Sequence, residues 1–136
     1  FDLVYTRHVV EHQSSFGKPI DELFRVSKNL VAINFWRWTV GPSVFNRRAK
    51  YYHNTYNISE ILSYIKAKTD NFVHFICYNK SAEKEVVNSY KLNNDINNKS
   101  AYLVLLASKN KSENLLDATE HLKKNNIPHL LNPYKK

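Results

Sequence analysis

The sequence predicts an α/β fold, a partial sheet with one reversed strand and a terminal antiparallel strand pair, with helices on both faces. Three observations carry this reading. Strand-like and helix-like segments alternate along residues 1–79. The run LVAINFW, residues 30–36, is almost wholly apolar, the pattern of a strand covered on both faces rather than one. The late segments NFVHFICYN and AYLVLLAS are joined without an obvious crossover helix, which predicts antiparallel neighbours, because parallel neighbours need a long return.

Residues 1–6, FDLVYT, are β-rich and apolar and predict the first strand. KPIDELFRVSK, residues 18–28, predicts a helix. Pro19 suits its first turn, Asp21 and Glu22 complement its positive end, and Ile20, Leu23, Phe24 and Ser27 recur at helical spacing. With LVAINFW this makes a strand–helix–strand unit with parallel strands. Residues 37–56 read as a loop broken at Gly41-Pro42 and rich in aromatics. Asn57 then caps the helix ISEILSYIKAK, with Glu60 in capping-box position and Ile58, Ile61, Leu62 and Ile65 as its apolar face. Residues 71–79 and 101–108 are strands. Between them lies a charged, Asn-rich connection with a helical turn around EKEVVNSY. Ser112 caps a terminal amphipathic helix, SENLLDATEHLKKNN. The chain therefore divides into a sheet-forming part, residues 1–111, and a terminal helix and tail, residues 112–136. Because it opens on a buried-looking strand, the sheet is expected to be half of a larger, doubly wound one.

Composition bounds the function classes. A chain of 136 residues suits one domain that buries roughly two-thirds of its unfolded surface. Nothing approaches the ~20 consecutive apolar residues of a membrane-spanning helix. The lone Cys77 has no internal disulfide partner, so the expected setting is reducing and cytoplasmic. The formal charge of +8 invites a nucleic-acid reading, but the lysines are dispersed. Arg47, Arg48 and Lys50, followed by Tyr51 and Tyr52, are the one compact basic-aromatic group. A nucleic-acid partner is thus the less favoured alternative.

At FDLVYTRHVVEH, the helix ending ELFRVSK, the strand LVAINFW, and the pair NFVHFICYN and AYLVLLASK, the sequence resembles a family. It is similar to the second half of a class I S-adenosylmethionine-dependent methyltransferase, of the type 11 kind, over residues 1–109. The most specific piece is the first dozen residues, which follow the family pattern fDlVyxxxVlEH. The resemblance implies a partial Rossmann-like methyltransferase sheet, strands four to seven, with the seventh lying between the fifth and the sixth. It also implies S-adenosylmethionine as cofactor and an unidentified acceptor, a small molecule or other. The family's glycine-rich loop is missing. Gly17 and Gly41 are the two glycines, and neither lies in such a loop. These residues alone are therefore expected to be inactive, as part of a longer enzyme.

Ligands of open α/β sheets sit beyond the carboxyl ends of the strands. Thr6, Arg7 and His8 hold that position here, and the resemblance implies that they line the methionine side of the cofactor. Methyl transfer depends on in-line positioning. Where the acceptor must lose a proton, a histidine suits the task, which makes His8 and His12 the catalytic candidates. Trp36, Trp38, Tyr51, Tyr52, His53 and Tyr56 are candidates to stack on an acceptor, and Arg47 and Arg48 to hold phosphate or carboxylate; packing of these aromatics onto the sheet is the equal alternative. The substrate-binding candidates are accordingly Trp36, Arg47, Tyr52, His53 and Tyr56.

Three other readings are weaker. H-V-V-E-H has the HxxEH spacing of some zinc peptidases, but it follows a buried strand instead of lying on a long helix. Some methyltransferases carry a metal-binding ExxEH segment here, which would make Glu11, His12 and His53 ligands. His8 then stands in place of the first carboxylate and gives a set softer than magnesium prefers. A non-catalytic α/β binding module, a basic nucleic-acid binder among the options, is the alternative from a different class. His74 and Cys77 read as core, His121 and His129 as surface, and the tail HLLNPYKK as a docking or disordered end.

Overall fold

The computed structural model describes residues 1–78 and 101–117. The expected turn around EKEVVNSY, His121, His129, the tail and all but the first turn of the terminal helix lie outside them. β1 (Leu3–Arg7) leads through a single 3₁₀ turn, Val10–His12, into α1 (Gly17–Val26) and β2 (Leu30–Phe35). Four two-residue strands follow: β3 (Trp38–Thr39), β4 (Arg47–Arg48), β5 (Tyr51–Tyr52) and β6 (Tyr56–Asn57). Next come α2 (Ile58–Lys66), β7 (Phe72–Tyr78) and β8 (Ala101–Ser108).

The main sheet has the order β1-β2-β8-β7. β1 and β2 are parallel, with Val4 beside Val31 and Thr6 beside Ile33. β8 is antiparallel to β2 on one side, Ile33 against Leu105, and antiparallel to β7 on the other, His74 against Leu105. The last described strand is therefore inserted between two made earlier. Val31 to Phe35 are buried without interruption, as expected of a central strand.

Alternation along the strands separates the two faces. Val31, Ile33 and Phe35, with Leu103, Leu105 and Ala107, form one core with Ile20 and Phe24 of α1 and Ile58, Ile61 and Ile65 of α2. Ala32, Asn34, Val104 and Leu106 occupy the opposite face. Both described helices thus share one face, so the expectation of helices on both is met on one only. They also touch each other: Phe16, just before α1, packs edge-on against Tyr64 at 5.3 Å, and the Tyr64 hydroxyl donates to Asp21 at 2.7 Å.

The helix ends differ from the sequence pattern in instructive ways. α1 starts one residue early, so its first turn holds no acidic residue. Asp21 instead pairs with Lys68, and Glu22 with Arg25. The C-terminal carbonyls are capped from a distance: Lys109 Nζ, just after β8, donates to Phe24 O at 3.1 Å and Ser27 O at 2.8 Å. At α2 the Asn57 side chain accepts from Glu60 N at 3.0 Å, as a cap should. The return half of the capping box is rerouted through Ser43. Its hydroxyl accepts from Asn57 N at 2.8 Å and donates to Glu60 Oε2 at 2.8 Å. Residues 112–117 stay attached to the sheet, with Asn29 donating to Glu113 at 3.1 Å and Leu115 buried.

Two substitutions on α2 separate capping from packing. Asn57→Ala removes one cap and is expected to cost about 1 kcal/mol. Ile61→Ala empties a fully buried position and is expected to cost about 2–5 kcal/mol. Urea denaturation of both variants checks the ranking, and equal losses would contradict the assigned core.

Candidate functional site

The carboxyl ends of β1 and β2 lie side by side, and the chain leaves both in tight turns. His8 follows β1 with φ of 52°, in the left-handed region that costs a residue with a side chain about 1–2 kcal/mol. Its N–H donates to Asn34 O at 3.1 Å, continuing the parallel ladder one step past Arg7. Thr6 shares the helix-covered face with Ile33 and is half-buried; Arg7 lies on the opposite face beside Asn34.

Glu11 closes the site from below. It is 1% exposed, and its Oε1 accepts from the backbone N–H groups of Trp36 and Arg37, the first two residues past β2. Its main-chain carbonyl accepts from Asn54 N at 2.9 Å. Burial raises the carboxyl pKa, while the three backbone hydrogen bonds to its oxygens and the nearby His12 pull the other way. Burial prevails because the apolar surroundings penalise the ion more than these donors repay.

The segment between β2 and α2 is an ordered excursion and not a plain loop. β3 and β6 pair in parallel at its base, Trp38 beside Tyr56, and β4 and β5 form a hairpin at its tip. Val44 and Thr55 bridge the two arms. Four contacts fasten it to the turn after β1. Asn54 Nδ2 donates to Gln13 O at 2.9 Å, Tyr56 Oη donates to the same carbonyl at 3.3 Å, Asn54 N donates to Glu11 O, and His12 Nδ1 lies 2.8 Å from Tyr52 O. A carbonyl only accepts, so His12 carries its proton on Nδ1 and leaves Nε2 as an acceptor in the neutral ring.

These contacts bring most of the sequence candidates together. The His8 and Trp36 rings lie 5.8 Å apart, Trp36 and His53 6.3 Å, His12 and His53 5.3 Å, and His12 and Tyr51 5.7 Å. Arg37 lies over Trp36 at 5.5 Å, and Arg47 over Tyr52 at 5.8 Å on the exposed hairpin. Burial holds the His8 imidazole below its usual pKa, helped by the charge of Arg7 and opposed by Asn34. Burial lowers His53 likewise, and the charges of Arg37, His12 and Arg48 add to it.

Tyr56 and Trp38 are corrections. Tyr56 is fully buried, its hydroxyl is held by Asn54 and Gln13, and burial raises its pKa. Trp38 is 1% exposed. Both are base-pins of the excursion and neither offers a surface to an acceptor. Among the described residues no group of three or more His, Cys, Asp and Glu is arranged to hold a metal ion. The Glu11 oxygen that bonds is turned to backbone amides. His74 is half-buried, with its pKa lowered by burial, within β7. Two residues that matter here gave little signal in the sequence. Asn54 is one asparagine among many; Arg37, directly past the carboxyl end of β2, was legible by position alone.

Among the described residues no helix is long and apolar enough to cross a membrane. No family model, curated protein or solved structure matches the chain.

The buried groups give a signed pH dependence. A carboxyl whose folded pKa is raised binds its proton more tightly when folded. Glu11 therefore lowers stability as pH rises from about 4.5 through its folded value. His8 and His53 act oppositely: their folded values lie below 6.5, so stability is lost as pH falls through that window. In Glu11→Gln the acid-side slope is expected to vanish while the histidine slope stays. Urea midpoints from pH 4 to 8 test this, and an unchanged profile would rule it out. Glu11→Ala, which strips both amides of their acceptor, is expected to cost about 1–3 kcal/mol for each one left dry.

Proposed function

We propose that the chain is the strand-four-to-seven half of a class I S-adenosylmethionine-dependent methyltransferase domain and contributes the acceptor side of its site. The observation that carries this is the sheet order β1-β2-β8-β7, two parallel strands followed by an inserted antiparallel last strand. That insertion is what the resemblance to the family implies, and a simple hairpin continuation would have given β1-β2-β7-β8. The position of the histidine and aromatic cluster also supports it, because it gathers where the parallel strands end. So does β1, which pairs on one side only among the described residues and leaves Tyr5 and Phe1 exposed along its open edge.

The residues present fit the cofactor on one side only. Thr6, Arg7 and His8 would form a wall for it, but no glycine cradle exists among them. A side chain at Gly17 would meet the Tyr64 hydroxyl at 3.1 Å, so that glycine serves helix packing; Gly41 lies in open contact with Thr39. Bound S-adenosylmethionine would supply the methyl group. What this chain supplies is orientation and a proton acceptor. Trp36, Tyr51 and the His53 ring present flat surfaces to an acceptor, and His12 Nε2, fixed by the Nδ1 hydrogen bond to Tyr52 O, is set to take its proton. His8, with its depressed pKa, is the second base candidate.

The alternative, a binding module without catalysis, has one observation in its favour: the hairpin exposes Arg47, Arg48, Lys50 and Tyr51 together. Calorimetry with S-adenosylhomocysteine separates the two. The longest protein encoded with this chain is expected to bind it at micromolar affinity or better, with residues 1–136 alone silent. Absence of binding to the longer protein would overturn the methyltransferase reading. In an enzyme that binds, His12→Gln is expected to lower kcat by about 10²–10⁴-fold if His12 is the base, with S-adenosylhomocysteine affinity unchanged.

A further inference from the structure

The cationic and aromatic groups around His53 are more specific than a general acceptor face. Both ring nitrogens of His53 are shielded from solvent and have no hydrogen-bond partner among the described residues. Arg37 Nε is in the same condition. Buried polar atoms are ordinarily hydrogen-bonded, so three such atoms in one place mark a position built for a polar ligand. Its sign is set by the neighbours. Arg37 and Arg48 lie close enough for their charges to act on the His53 ring, and neither has an ion-pair partner among the described residues. The buried carboxylate in this region, Glu11, faces the backbone amides of Trp36 and Arg37 and not a guanidinium. The flat surfaces of Trp36, 39% exposed, and Tyr51, 49% exposed, flank the same ring.

We propose that this cluster binds a planar aromatic ring bearing an oxyanion, a phosphate or a carboxylate. The ring lies among Trp36, Tyr51 and His53, and the anion meets the guanidiniums of Arg37 and Arg48. On the methyltransferase reading this ligand is the methyl acceptor, and the inference rests on that reading only for the role and not for the binding. Guanidinium forks match both anions in two parallel hydrogen bonds, and His53 Nε2–H or Nδ1–H adds a third donor.

A small ligand is favoured over a nucleic-acid strand by how the positive charge is distributed. Strand binding needs a tract of cations along many phosphates. Among the described residues, the arginines whose charges act on the His53 ring are Arg37 and Arg48, two groups and not a tract. Lys68 is paired with Asp21, and Lys109 caps α1 at the far end of the sheet.

The test uses the full protein encoded with this chain, with phenyl phosphate, benzoate, inorganic phosphate and a short uridine oligonucleotide as probes. Binding is read from tryptophan fluorescence and from the His53 imidazole signals by NMR. Saturable binding of phenyl phosphate or benzoate is expected, with the two compared to settle which oxyanion is preferred. Phenyl phosphate should bind roughly tenfold or more tightly than inorganic phosphate, as stacking of one ring implies. Arg48→Gln, at an exposed position where folding is not at stake, and Arg37→Gln are each expected to weaken binding tenfold or more and to cancel the rise in His53 pKa that the anion causes. No saturable binding, equal affinity for inorganic phosphate, indifference to both arginine variants, or tighter binding of the oligonucleotide would each overturn the proposal. S-adenosylhomocysteine binding is measured on the same samples. If it binds and the aryl anions do not, the acceptor class is wrong and the methyltransferase reading survives; the converse leaves the anion site standing without that reading.

Discussion

The geometry of the site depends on one buried carboxylate. Glu11 stands where three pieces of chain meet: the turn after β1, the end of β2 and the returning arm of the excursion. Its side chain holds the Trp36 and Arg37 amides, and its carbonyl holds Asn54. Burying a carboxylate is expensive unless donors surround it, and burial raises the Glu11 pKa against the pull of its backbone donors. What that energy maintains is position. Glu11 adds to the β1–β2 ladder and the β3–β6 pairing a direct tie between Trp36 and Arg37 and the turn that carries the histidines after β1.

Around that junction, strain and satisfaction are distributed unevenly. His8 sits in a left-handed backbone conformation that glycine would adopt freely, and the chain keeps a histidine there. Strain of this kind persists where surroundings over-determine it, and it gathers at functional sites. Asn54 shows the reverse: buried completely, it satisfies its amide through Gln13, Tyr56 and Asn46. Asn54, Tyr56 and Trp38 are buried. Buried polar atoms without a hydrogen-bond partner among the described residues remain on His53, Arg37 and the second oxygen of Glu11.

Most of the sheet was legible in the sequence because burial on two faces leaves a continuous apolar run. LVAINFW and AYLVLLAS gave their strands within a residue or two, and Ile58, Ile61 and Ile65 gave the α2 face. The excursion was not legible. Strands of two residues carry no periodicity, and β3 to β6 are held by side-chain contacts from Asn54, Tyr56 and Glu11, none of which advertises its partner locally. For Tyr56 and Trp38 the sequence left inward packing and acceptor stacking equally open, since an aromatic in a polar segment looks alike whether it packs inward or outward; both pack inward. Asp21 and Glu22 fall outside the first turn because α1 begins one residue earlier, at Gly17, without a side-chain cap to mark it. The strand-end rule places Thr6, Arg7 and His8; the approach of Trp36 and His53 and the roles of Arg37 and Asn54 follow from the folded excursion.

The insertion of β8 between β2 and β7 has a consequence for how the molecule is made. On the ribosome, β2 and β7 emerge well before residues 101–108, and neither can pair with the other at its native spacing while the gap between them is unfilled. Until the late strand arrives, both present unprotected apolar edges to whatever else is in the cell. The carbonyls at the end of α1 wait for Lys109 over the same interval. Synthesis of the stretch between β7 and the end of β8 is thus a period in which chaperone protection matters, because both edges stay open until it is complete.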